Sequence, residues 1–138
     1  MFFNISNHPS SNWDEKQKNY GEKLGFGEIK DIKFPNVSPE TKDLTPLVLE
    51  VLNQLPKNGE IKDDWDNRLG VHWAMVMGEI SLCYHLTNEL LKSGYRVVVA
   101  TTERVTTEKN GVKSSTFNFV AFREIQNELF PKLNTWNL

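Results

Sequence analysis

This chain of 138 residues has a single cysteine, Cys83. One thiol excludes an intrachain disulfide, and no Cys/His cluster has the spacing of a structural zinc site, so stability has to come from packing. An excess of positive charge is also missing, since 16 Lys and Arg stand against 18 Asp and Glu, a net charge of −2 with an isoelectric point near 5.9. Without a global positive field, the chain is not expected to grip long nucleic acid. No apolar run approaches a membrane span, and the mean hydropathy is −0.49, which argues against a membrane protein. The opening MFFNISNHP lacks the basic start and sustained apolar stretch of a secretory signal; it reads as a strand and points to a cytoplasmic address. Dinucleotide and P-loop fingerprints are absent, as is the GxSxG elbow of a serine hydrolase, so none of those chemistries has its usual support.

What is present is an alternation of short apolar runs and amphipathic periods. Met1 to Ser6 reads as a strand that stops at a polar loop, Asn7 to Asn12. Ser11 or Asn12 can cap a helix from about Trp13 to Leu24, ended by Gly25. A strand follows over 28–34. Leu44, Leu47, Val48, Val51, Leu52 and Leu55 then have helical spacing, with Pro46 in the first turn. After an exposed stretch over 56–67, residues 69–77 read as a buried strand, 79–92 as a helix with Ile80, Leu82, Cys83, Leu86, Leu90 and Leu91 as its apolar positions, and 95–101 as another buried strand. Lys109-Asn110-Gly111 between Thr/Val/Phe-rich runs predicts a hairpin reaching to about Phe122, and 124–133 suits a short helix. The fold class expected is α/β: one three-layer, Rossmann-like domain over 1–138, with a mainly parallel sheet and a C-terminal antiparallel hairpin.

In such sheets ligands sit outside the carboxyl ends of the strands. That rule selects three loops: Ser6 to Ser11, Met77 to Ser81, and Ala100 to Arg104. His8 can give or take a proton near neutral pH, and is weighed against a merely exposed loop histidine. Gly78 opens a helix whose free N–H groups favour an anion, although one glycine can also serve tight packing. Glu79 can act as a base, as a partner for Arg104, or as an acid suited to a helix first turn. Arg104 with Thr101 and Thr102 suits phosphate and ribose. Trp13 and Gln17, a helical turn apart, could cover a base. His72 and His85 lie on apolar faces and are expected in the core, and the acids Asp63, Asp64 and Asp66 read as a solvated loop rather than a metal site.

The stretches SNHPSSNW followed by Gln17, EIKDIKFPNVSP, VHWAMVMGE and VVVATTERV, with a Phe-rich strand ending FVAFRE, resemble a group of small stand-alone CRISPR-associated proteins. These are similar to the Rossmann-like CARF sensor domains of type III systems and are regarded as ring nucleases. The resemblance implies a homodimer that binds a cyclic oligoadenylate messenger, of four nucleotides, and cleaves it without metal or cofactor, switching the antiviral signal off. It implies His8 as general acid or base, with Arg104 and Glu79 in the catalytic set. Asn7, Ser10, Ser11, Gln17, Gly78, Ser81, Thr101 and Thr102 would then line the ligand. One departure stands out: no Lys occupies the three loops. A binder that holds the messenger uncut, and a flavodoxin-like mononucleotide enzyme, are the other readings of the same loops.

Overall fold

A computed structural model describes residues 1–56 and 71–126. Its elements run β1 (Phe2–Ser6), a 3₁₀ turn (Ser10–Asn12), α1 (Glu15–Leu24), β2 (Ile29–Lys33), α2 (Thr45–Leu52), β3 (Trp73–Val76), α3 (Ile80–Lys92), β4 (Arg96–Lys109) and β5 (Val112–Glu124). The sheet order is β2-β1-β3-β4-β5, with the first four strands parallel and β5 antiparallel to β4. The protein is thus α/β with a mixed, mostly parallel sheet and a C-terminal antiparallel hairpin. Among the described residues no helix is long and apolar enough to cross a membrane.

The period-2 alternation of β1 divides the core. Phe3 and Ile5 face one layer, where they join Ala74, Val76 and Val97 under Val48 and Val51 of α2 and Leu82, Leu86 and Leu90 of α3. Phe2 faces the other, with Met75, Val98, Phe119 and Phe122 beneath Trp13 and Leu24. All five residues of β1 are buried, as a central strand covered on both faces requires.

Several local readings are corrected. Asp14, not Ser11 or Asn12, caps α1: its carboxylate accepts from the Gln17 N–H at 2.8 Å, and Ser11 and Asn12 sit in the 3₁₀ turn before it. The fourth strand and the first arm of the hairpin are one continuous strand of 14 residues, because the Thr-rich stretch 101–107 keeps its ladder with β5 throughout. The Asn110-Gly111 turn is as expected, both residues at positive φ, the geometry of a tight hairpin. Ile80, placed in the apolar stripe of α3, is 82% exposed, and His85 is exposed rather than in the core. The expected loop over 57–67, its acids, the start of the third strand at 69–70 and the expected helix beyond 126 lie outside the described residues.

His72 is buried, as expected, stacked on Tyr95 and edge-on to Phe3, and its Nδ1 has no hydrogen-bond partner among the described residues. Burial, with a smaller contribution from the nearby N-terminal amine, pulls its pKa below the ordinary 6.5. A folded state that binds this proton less readily than the unfolded chain gains its stability above the ordinary value and loses it as pH falls through the lowered one. Urea midpoints should therefore drop between pH 7.5 and pH 5, and His72→Phe, which keeps the ring stack, should flatten that part of the profile.

Candidate functional site

Strand order reverses between β1 and β3, because β1 runs on to β2 on one side while β3 and β4 lie on the other. Loops leaving these strands diverge to opposite faces, so a crevice opens at their carboxyl ends. A cavity of about 420 Å³ lies there, lined by His8, Asn12, Trp13, Asp14, Gln17, Met75, Met77, Ala100, Thr102, Phe117 and Phe119. Its size falls in the range of small-molecule sites. A second cleft, of about 470 Å³, lies between α2 and α3, where Leu44, Val48, Leu49 and Leu52 meet Lys42, Asp43, Thr45, His85 and Glu89. Its lining includes no strand residue and no Phe, Tyr or Trp.

The loop carrying His8 is held by a polar network rooted in the sheet. Asn4, 1% exposed, pairs in register with Asp31 of β2. Its amide nitrogen donates to Asp31 Oδ1 at 2.9 Å and to the His8 carbonyl at 2.8 Å, and its oxygen accepts from the Ser6 hydroxyl at 2.7 Å. Ser6 Oγ in turn accepts from the His8 N–H at 3.1 Å. Asp31 receives the Ser10 N–H and hydroxyl, at 3.1 to 3.2 Å. The histidine backbone is thereby fixed while its side chain stays exposed and faces the cavity.

A bulge builds the opposite wall. Thr101 pairs with Ala121 but Thr102 pairs with Phe119, so Val120 is an extra residue in β5. The Thr101 hydroxyl donates to the Ala121 carbonyl at 3.0 Å and accepts from its N–H at 3.1 Å. One inserted residue reverses which face the following side chains occupy. Phe119 and Phe117 consequently share a face with Phe122, and Phe119 packs on Phe122 at 4.8 Å between centroids. Trp13 closes the floor, edge-on to Phe2 and tilted against Phe122.

Of the site residues expected from sequence, His8, Gln17 and Thr102 converge on this cavity, together with Trp13. The others do not line it. Asn7 and Ser11 are exposed in the same loop, Ser10 is committed to Asp31, and the Thr101 hydroxyl is committed to the bulge. Gly78 serves close packing: a Cβ there would come within 2.4 Å of the Phe34 ring. The α3 N-terminus is not an open anion seat, since Glu79 caps it, accepting from the Ser81 N–H at 3.0 Å and the Leu82 N–H at 2.9 Å. The Ser81 hydroxyl also donates to Glu79, and this bond, followed by the two amides, holds the Glu79 carboxyl below the usual carboxylate range. Arg104 lies two residues beyond Thr102 on the hairpin, with its guanidinium on Ser115 Oγ, and makes no ion pair with Glu79 or Glu103.

Met77 and Ala100 of the selected loops also line the cavity, whereas Asn4, Asp31, Asn12, Asp14, Met75, Phe117 and Phe119 were not singled out from the sequence as site residues. Two signals pointed to some of them: Asn4 and Ser6 are polar at alternate positions of an otherwise apolar strand, and the spacing of Phe117, Phe119 and Phe122 shifts from two to three, the mark of a bulge. Burial of Asn4 is tolerable only while its partners remain. Asn4→Ala should lower the unfolding free energy by about 1–3 kcal/mol in urea denaturation, with faster amide exchange at His8 and Ser10.

A family model described as "Uncharacterized protein MJ1673 family" matches residues 1–123. No curated protein and no solved structure matches the chain. The matched span begins at β1 and ends at Arg123 in β5, taking in every residue that lines the cavity, and the chain belongs to this MJ1673 family.

Proposed function

We propose that the cavity at the carboxyl ends of β1, β3 and β4 is a nucleotide site, and that the protein is a ring nuclease for a cyclic oligoadenylate of four nucleotides. The observation that carries this reading is the convergence of His8, Gln17 and Thr102, from three separate segments, on one cavity with aromatic walls. Aromatic faces suit bases; Asn12, Gln17 and Thr102 offer amides and a hydroxyl to base edges and ribose; and His8 can move a proton. The small ligand also suits a chain of net charge −2, because few phosphates need neutralising. Two copies with their carboxyl edges facing one another would present two cavities to one symmetric ring.

The reaction that fits needs only the substrate and a proton carrier. The ribose 2′-oxygen forms a bond to the adjacent phosphorus, and the bond from phosphorus to the 5′-oxygen breaks. The 2′-hydroxyl proton is removed and the departing 5′-oxygen gains one, leaving a linear product with a 2′,3′-cyclic phosphate. In this scheme His8 carries one of the two proton transfers, and the cavity keeps the attacking oxygen, phosphorus and leaving oxygen in line. Glu79, held as an ionised helix cap outside the cavity lining, has no proton-transfer role here. The lining contains no Lys or Arg, so charge building on phosphorus is weakly stabilised and turnover is slow. That same feature favours, as the second reading, a module that holds the messenger uncut.

Incubation of cyclic tetra-adenylate with the protein in EDTA, followed by chromatography, should yield linear products ending in a cyclic phosphate. His8→Ala should slow turnover by about 10²–10⁴-fold with affinity little changed. Tight binding with intact ligand after long incubation at high protein concentration selects the binder instead, and a bound flavin in the purified protein selects a mononucleotide enzyme.

A further inference from the structure

The hairpin runs on well past the sheet, and from Thr102 to Asn118 every residue is exposed. Its base carries two side chains that the fold leaves uncompensated. Phe117 lines the cavity rim yet is 68% exposed, so one side of its ring meets the cavity while most of it meets water. Arg104 is its direct cross-strand neighbour in the register, on the face that the Val120 bulge turns toward the cavity. Two of the guanidinium's N–H groups rest on one neutral oxygen, Ser115 Oγ, at 3.2 and 3.1 Å. Among the described residues no carboxylate forms an ion pair with it.

Arg96, on the same strand, shows how this chain treats an arginine used for structure. Its Nε and Nη2 donate to Glu124 at 2.6 and 2.7 Å, and its plane lies over Trp73 at 4.6 Å. Charge and apolar face are both satisfied there. At Arg104 and Phe117 the same two needs stand open side by side: a fork of donors lacking an anion and an aromatic face lacking a cover. An anion joined to a flat ring is the chemistry that satisfies both at once.

We infer that the base of the β4–β5 ribbon is a second nucleotide subsite, in which Phe117 stacks on a base and Arg104 binds the phosphate linking it to the nucleotide in the cavity. The inference rests on the nucleotide reading of the cavity and adds to it the place on each copy where a second, linked nucleotide is held. It also assigns Arg104 to binding, where the family resemblance implied a catalytic part.

Calorimetry on the full chain with two probes tests this: adenosine monophosphate, which fills one subsite, and a 2′-O-methylated cyclic tetra-adenylate, which lacks the attacking hydroxyl and stays intact. The unaltered protein should bind the ring more tightly than the monophosphate. Phe117→Ala should weaken the ring by about tenfold and the monophosphate, whose cavity this side chain only borders, by clearly less, while Phe117→Tyr restores the ring. Arg104→Gln should weaken the ring and flatten its salt dependence. Equal affinity of the unaltered protein for both probes, or Phe117→Ala acting on both alike or on neither, overturns the second subsite and leaves the cavity reading standing. No binding of either probe overturns both.

Discussion

Asn4 lies in the middle of β1, an interior strand, between Asp31 of β2 and Met75 of β3, and the hydrogen bonds of its side chain bear on the cavity. An apolar residue would pack at this position without needing partners. The amide instead ties strand to loop: it holds the His8 carbonyl and Asp31, and Asp31 holds the 3₁₀ turn through Ser10. The chain leaving β1 is thereby turned toward α1, Trp13 is delivered to the floor, and the His8 side chain is left free. A buried polar network of this kind fixes one arrangement because each broken bond leaves a desolvated group behind.

The opposite wall depends on a different device, one residue added to β5. Were β5 regular, Phe119 and Phe117 would face away from Phe122 and from α1. With Val120 inserted, the aromatic series stays on the cavity side, and the Thr101 hydroxyl takes over hydrogen bonds that the ladder gives up at Ala121. Bulges commonly re-aim side chains at functional edges. Here the bulge joins the cavity to the ribbon, so the polar loop of β1 and the aromatic face of the hairpin meet across one opening.

Much of the fold was legible from periodicity. The apolar runs 2–6 and 73–76 and the stripe Leu82, Leu86, Leu90 are what a doubly covered sheet needs, and Gly25 and Asn110-Gly111 mark real ends and turns. Where reading failed, the causes are specific. Ile80 is apolar but stands two residues before Leu82, nearly on the opposite side of α3 from the buried Leu82, Leu86, Leu90 stripe, so its residue type and not its period misplaced it. Gly78 and Glu79 looked like an anion seat because loop chemistry was legible and competition for the amides was not: a carboxylate one residue before the helix fills that role itself. Carboxyl-edge reasoning found the region of the cavity, and His8 and Thr102 within it, while Gln17 followed from its helical spacing to Trp13. It could not find Asp31 or Phe117, whose parts depend on cross-strand register and on a bulge.

What has to be tested is that the crevice between β1 and β3, and not the cleft between α2 and α3, receives a nucleotide. Amide chemical shifts followed while adenosine monophosphate is added to the isotopically labelled protein test it most directly. Saturable shifts are expected at His8, Asn12, Gln17 and Thr102, with the Trp13 indole among them. Shifts confined to Lys42, Leu49 and His85 in the other cleft, or no shift at any concentration, would contradict it.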